Sequence, residues 1–351
     1  MATLKQLVDE TTNIKNELKT CHTKLVDTLS IKKIDISSTD KMPILIDKVN
    51  LLHYVKGLEK LPQFHKPELE IKNYWLQCNG MTTKRYGAVS SVVDGKIYVI
   101  GGTTGSTALA VNECYDPINN TWTSKKAMTT ARMYPVSSVV DEKIYVIGGT
   151  TGASSNYLTT NECYDPVTNT WTSRKAMTTY RHGATANTVG GKIYVIGGIH
   201  ANILGTNECY DPVTNTWTSR KAMTTARRQL TSSVVDGKIY AIGGTAGNAF
   251  SVNECYDPAT NAWTTKEPMP TTARYGIASS TVDGKIYVFG GIGVDSLSLN
   301  ECYDPSTGAW TTKNPMDYPR RQVTSDTVDG KIYVFGGNHG GASPINECYI
   351  P

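Results

Sequence analysis

Asn112-Glu113-Cys114-Tyr115-Asp116-Pro117 decides the fold, because its first four residues return at Asn161, Asn207, Asn253, Asn300 and Asn346. Successive copies lie 49, 46, 46, 47 and 46 residues apart. A period of that length belongs to repeat architectures rather than to one irregular enzyme domain. The chain from about residue 71 is therefore an array of one small unit.

Working outward from the phrase gives the unit its strands. Asp116-Pro117 ends the strand that carries it, since proline supplies no ladder donor. Upstream, Lys96-Ile97-Tyr98-Val99-Ile100-Gly101-Gly102 is apolar on both faces of a two-residue period and reads as an inner, doubly buried strand. Before it, Ala88 to Val93 runs into Asp94-Gly95, a dipeptide that tolerates the positive φ of a hairpin turn. Downstream, Asn120 sits in a short turn, and Trp122 to Met128 carry the last strand. The unit is a four-stranded antiparallel meander.

Four-stranded units with two apolar faces must stack on one another in water, and radial closure also hides their edges. Double glycines stand at Gly101, Gly148, Gly197, Gly243, Gly290 and Gly336, yet the last copy stops at Pro351 without its Trp strand. The missing strand is at the front, where Trp75 precedes Met81 by six residues, as Trp122 precedes Met128. Six blades are expected, with a strand near Ile71 to Gln77 completing the sheet formed by residues of about 320 to 349. The double glycine, the tyrosine of the inner strand, the Tyr-Asp-Pro and the tryptophan about seven residues later resemble the kelch repeat in every unit. That resemblance implies an all-β, six-bladed kelch-type propeller over residues 71–351.

Charge and cysteine usage narrow the function. A net charge of +4 on 351 residues is small, and the recurring lysines (Lys96, Lys143, Lys192, Lys238, Lys285, Lys331) form a ring rather than a patch, which disfavours nucleic acid. Six of the eight cysteines occupy one strand position in successive blades, too far apart for bridges, and read as buried thiols. No stretch has the length of a membrane span or the apolar core of a signal peptide, so synthesis in a reducing cytoplasm without membrane insertion is expected.

Residues 1–55 are different material and predict a small helical region, followed by a connector over 56–70 that contains Pro62 and Pro67. Leu4, Leu7, Thr11, Ile14, Leu18, Cys21, Leu25 and Thr28 form a heptad seam. The seam predicts self-association into a dimer or trimer, or else packing against a second helix that starts near Ser38. The stretches beginning at Asn13, Ser38 and Leu45 resemble helical amino-terminal modules of phage and prophage structural proteins of Gram-positive bacteria. The resemblance implies a virion or phage-like particle, with other virion proteins as partners.

Internal comparison of the six copies locates a candidate surface. Arg85, Arg132, Arg181, Arg227, Arg274 and Arg320 recur with Glu113, Glu162, Glu208, Glu254, Glu301 and Glu347, and are expected to pair with them structurally. The residues just after each arginine vary: Tyr86, Tyr134, His182, Arg228-Gln229, Tyr275 and Arg321-Gln322. The loop after each double glycine varies too, and supplies His200, Asn338 and His339. In kelch propellers these two segments gather at one mouth of the central channel. Rings beside planar donors suit stacking and bidentate recognition of a glycan, a carboxylate or a protein loop.

Catalysis has little support. His182, His200 and His339 lie on different blades without metal-ligand spacing, so no metal, cofactor or catalytic residue is expected. The sequence thus predicts a non-enzymatic binding protein of a phage or phage-like particle, attaching to a host-surface glycan or protein or decorating the particle. The competing classes are a sugar-acting enzyme at the mouth and an intracellular scaffold.

Overall fold

The computed structural model describes residues 73–152 and 156–351. The expected helical region 1–55 and the connector 56–70 lie outside the described residues. Every regular element described is a β-strand, and the strands form six four-stranded antiparallel sheets. The first strand, β1 (Tyr74–Cys78), leaves its nearest neighbours in sequence and pairs with Asn346–Ile350, from Tyr74↔Ile350 to Cys78↔Asn346. It thereby becomes the fourth strand of blade VI, beside Lys331–Phe335 and Thr324–Val328. Blade I contains β2 (Val89–Val93), β3 (Lys96–Ile100), β4 (Asn112–Asp116) and β5 (Thr121–Lys125). Blades II to V repeat that order over residues 136–174, 185–220, 231–266 and 278–313.

Apolar burial lies between neighbouring blades rather than in one central mass. On β3, Ile97, Tyr98, Val99 and Ile100 are all buried, because a strand sandwiched between two sheets has no solvent face. Tyr115 of β4 packs on Trp122 of its own blade at 5.0 Å and on Tyr333 of blade VI at 5.7 Å between ring centroids. Its hydroxyl donates to Asn120 Oδ1 at 2.8 Å, which satisfies the polar end of the ring.

The outer turns fasten blade to blade. Asn120 has φ of 52° and accepts from Asn79 N at 2.8 Å, while Asn169 and Asn215, also left-handed, accept from Lys126 N and Lys175 N at 2.9 Å each. Asparagine tolerates this backbone region better than most residues and here adds a bond across the gap. Each indole reaches the same gap: Trp171 Nε1 donates to Lys126 O at 2.8 Å, and Trp75 Nε1 donates to Asn314 O at 2.9 Å where the ring closes. The indoles of blades I to V are half-buried at the rim, whereas Trp75 is 8% exposed. Trp171, packed against the cluster between blades I and II, thus stays partly in solvent.

The recurring charges are internal supports. Arg85 Nη2 contacts Glu113 Oε2 at 2.5 Å, and the other five arginines are paired with Glu162, Glu208, Glu254, Glu301 and Glu347 in the same way. All twelve side chains are buried. Arg132 also donates to Gly148 O at 3.1 Å and Thr160 O at 3.2 Å, so one guanidinium holds the double-glycine bend to the third strand of its blade. Four of the recurring lysines are engaged at the rim: Lys143, Lys192, Lys238 and Lys285 face Asp165, Asp211, Asp257 and Asp304 at 3.1, 2.6, 3.6 and 2.8 Å.

Candidate ligand-binding mouth

Three residues follow each buried arginine before the first strand of the blade begins, and the structure gives the first two of them different tasks. The first, at Tyr86, Met133, His182, Arg228, Tyr275 and Arg321, forms a short bridge with the residue after the double glycine: Thr103, Thr150, Ile199, Thr245, Ile292 and Asn338. The second, at Gly87, Tyr134, Gly183, Gln229, Gly276 and Gln322, has φ between 52° and 63° in every blade. Its N–H donates to the carbonyl of the equivalent residue in the preceding blade. Tyr134 N reaches Gly87 O at 2.8 Å, and Gly87 N closes the circle on Gln322 O at 3.1 Å. Six such bonds ring one end of the channel.

The sequence pattern groups Tyr134 with Tyr86, His182, Arg228, Tyr275 and Arg321, and that grouping joins two structural positions. Met133 is the counterpart of Tyr86, whereas Tyr134 belongs with Gln229 and Gln322. Around the ring, glycine alternates with a larger residue. A Cβ added to Gly87 would fall 2.6 Å from the Tyr134 ring, so the glycine leaves room for the neighbour's side chain to lie over it. Tyr134, Gln229 and Gln322 narrow this end of the channel. The Tyr134 hydroxyl is pushed up to about 12 by burial and by the nearby Tyr86, against a hydrogen bond from Gln322 and the charge of Arg321.

Over blades I to III, six rings run in sequence across the face. Tyr86 lies 6.5 Å from Tyr134, Tyr134 lies 6.0 Å from His182, and His182 stacks on Tyr157 at 5.0 Å and 9°. Tyr157 meets His200 edge-on at 5.5 Å, and His200 stacks on Tyr180 at 5.7 Å. Burial, with the charge of Arg228 beside it, holds His182 down to about 4, so its imidazole is neutral at physiological pH. His182 Nδ1 and Arg228 Nε are both out of solvent and without a hydrogen-bond partner among the described residues.

Arg228, Gln229, Tyr275, Arg321 and Gln322 occupy the mouth on blades IV to VI, outside that run of rings. His339 is turned aside: its Nδ1 lies 2.8 Å from Pro319 O and its ring faces the edge of Tyr318 at 6.2 Å. Asn338 Oδ1 accepts from Gly341 N at 3.2 Å and shapes its own loop. The three histidines do not converge, since Tyr157 stands between His182 and His200, and no acid, cysteine and histidine cluster fit for a metal occurs among the described residues.

Tyr157 and Tyr180 are not singled out by the repeat pattern. Tyr157 lies in the loop that stretches one repeat to 49 residues, and Tyr180 stands just before Arg181 where other copies have Ala131, Ala226 and Ala273. Loop length and the residue preceding the arginine are the signals that point to them.

Six blades, each with the double-glycine bend and a buried arginine, define a repeat propeller with a varied mouth. The chain is a six-bladed kelch propeller: the Kelch motif matches residues 84–129 and 273–317, and the KLHDC2/KLHL20/DRC7 Kelch-repeats domain matches residues 132–291. A solved structure of YjhT is similar in fold, with a TM-score of 0.69 at 16% identity, over 77% of this chain and 95% of that one. No curated protein matches the chain.

Proposed function

We propose that the chain is a non-enzymatic binding protein that takes a glycan or protein ligand of a host surface at the propeller mouth, as a component of a phage or phage-like particle. The carrying observation is the mouth itself, where a run of six rings has Arg228 beside its His182 and Arg321 beside its Tyr134. Aromatic faces stack on sugar rings or planar side chains, and guanidinium forks fit carboxylates. The unpartnered His182 Nδ1 and Arg228 Nε supply polar groups that a ligand can satisfy, at a site where leaving them unpaired is costly.

The outer turns sharpen the contrast. Their asparagines are fixed by the left-handed backbone and the bond to the next blade, so their constancy is structural. Exposed positions beside them carry Ile118, Val167, Val213, Ala259 and Ser306, none of them a ring or a charge, whereas the first mouth position spans tyrosine, methionine, histidine and arginine. The loops after the double glycines contain one carboxylate, Asp295, which leaves them without the carboxylate pair of glycoside hydrolysis. The particle setting rests on the resemblance carried by the segments at Asn13, Ser38 and Leu45, and self-association on the heptad seam from Leu4 to Thr28.

A glycan array followed by a turnover assay on each hit tests the reading. Binding without turnover is expected, lost in the Arg228→Ala, Arg321→Ala double variant with melting shifted by less than about 0.5 kcal/mol. Turnover of a bound sugar would replace the binding reading with the enzyme. Unchanged binding by a folded double variant would move the site off the mouth.

A further inference from the structure

The channel beneath the mouth contains a group that neither stability nor ligand binding at the mouth uses. The first strand of each blade is the inner one at the channel, and its third residue is Ser91, Ser138, Asn187, Ser233, Ser280 or Asp326; five of these six are neutral. Most reach the second residue of the next blade's inner strand: Ser91 Oγ donates to Ser137 Oγ at 2.9 Å, and Ser233 with Ser279 and Ser280 with Ser325 are each 2.8 Å apart. Asp326 faces Ser90 in the same pattern, but its second oxygen, Oδ2, is out of solvent and has no partner among the described residues. The level it occupies encloses about 430 Å³ and is lined mainly by Ser and Thr hydroxyls, with Asn187. Among the described residues, no lysine or arginine lines it. The repeat arginines are committed to their glutamates, and Lys143, Lys192, Lys238 and Lys285 to aspartates at the rim.

We propose that this channel binds a small monovalent metal cation, sodium or potassium, beside the Asp326 carboxylate and among the hydroxyl oxygens that line the channel. One carboxylate among neutral oxygens balances a single positive charge, whereas calcium sites gather six to eight oxygens, usually with several carboxylates. The volume accommodates the ion with water. Access is from the end opposite the mouth, because the hydrogen-bonded ring and Tyr134, Gln229 and Gln322 narrow the mouth end. Burial pushes the Asp326 carboxyl up to about 7, so ion and proton compete for the same carboxylate near neutral pH. Among the described residues lining the channel, Asp326 is the one carboxyl group, and Tyr134 at the mouth end titrates far above this range.

The test uses full-length protein exchanged into N-methylglucamine chloride, with melting followed as sodium or potassium chloride replaces it at constant ionic strength. The midpoint should rise by roughly 5 °C at a hundredfold excess over the dissociation constant, and rise more at pH 8 than at pH 6. Asp326→Ser, which installs the residue of four other blades, should fold and lose the response, as should the isosteric Asp326→Asn. Crystals soaked in thallium(I) should show an anomalous peak beside the Asp326 carboxylate. A response equal in parent and variants, a saturable response to calcium alone, no response at all, or a thallium peak elsewhere would each overturn the assignment.

Discussion

Replacing Arg85 by Met isolates one of six repeated supports. The substitution keeps most of the side chain's volume but removes the guanidinium from Glu113 Oε2 and from Val99 O at 3.2 Å. Glu113 is buried, and its remaining side-chain partner is the Thr83 hydroxyl at a long 3.4 Å. Removing one member of a buried pair costs about 3 to 5 kcal/mol, and the poor residual solvation places this site toward the upper end. At about 2 °C per kcal/mol for a domain of this size, melting should fall by roughly 6 to 10 °C. Arg85→Met with Glu113→Leu should recover most of that, because two apolar groups leave no charge behind. The assay is urea unfolding of parent, both single variants and the double variant, read as midpoints at constant slope. In the parent, burial raises the Glu113 carboxyl and the Arg85 charge pulls it back. Without the arginine it rises further above its unfolded value. A carboxyl in that condition destabilises the fold while ionised, so the deficit of the single variant should shrink as pH falls from 7 toward 4. A single variant within about 1 kcal/mol of the parent, or a double variant no better than the single, would refute the reasoning.

Trp171→Ala should cost about 3 kcal/mol, the low end for a buried aromatic, since the ring is half in solvent; Trp75→Ala, packed on Phe289 at 5.6 Å and Tyr349 at 5.0 Å, should cost measurably more in the same urea assay. His182, neutral in the fold with its value held down to about 4, takes up protons less readily than the unfolded chain, so stability should drop as pH falls from about 6.5 toward 4. His182→Tyr, the residue of blades I and V, should flatten that part of a melting-against-pH curve. Cys78 is lowered to about 7, chiefly by a hydrogen bond with Cys348, and is half-buried. Iodoacetamide at pH 7.5 should therefore label Cys78 ahead of Cys114, Cys163, Cys209, Cys255, Cys302 and Cys348, as peptide mass mapping would show.

Much of the fold is written in the repeat because each recurring residue answers to a local need. Asp94-Gly95 turns, Pro117 stops a strand, and Arg85 with Glu113 must be buried together. The mouth is less legible. Register along a loop depends on which residue donates to the next blade, and that bond joins positions about 47 residues apart, as between Tyr134 and Gly87. Nothing in the local sequence separates Met133 from Tyr134. Asp326 is hidden for another reason: one aspartate in a strand reads as solvent-facing, and only the packing of six first strands places it on the wall of a channel. Cys78 likewise stands where other blades have Lys125, Arg174 or Lys266, a substitution whose effect depends on Cys348 far along the chain.

The circle of bonds from Gly87 to Gln322 also sets a rule of parity. Small and large residues alternate round it, each large side chain lying over the glycine before it. Alternation on a closed loop is possible only with an even number of members. Duplicating or deleting a single blade would bring two large residues, or two glycines, side by side, with crowding at one seam or a hole at the other. Gain or loss of blades in pairs would preserve the pattern. The natural unit of length change in this propeller is therefore two repeats, although the unit of folding geometry is one.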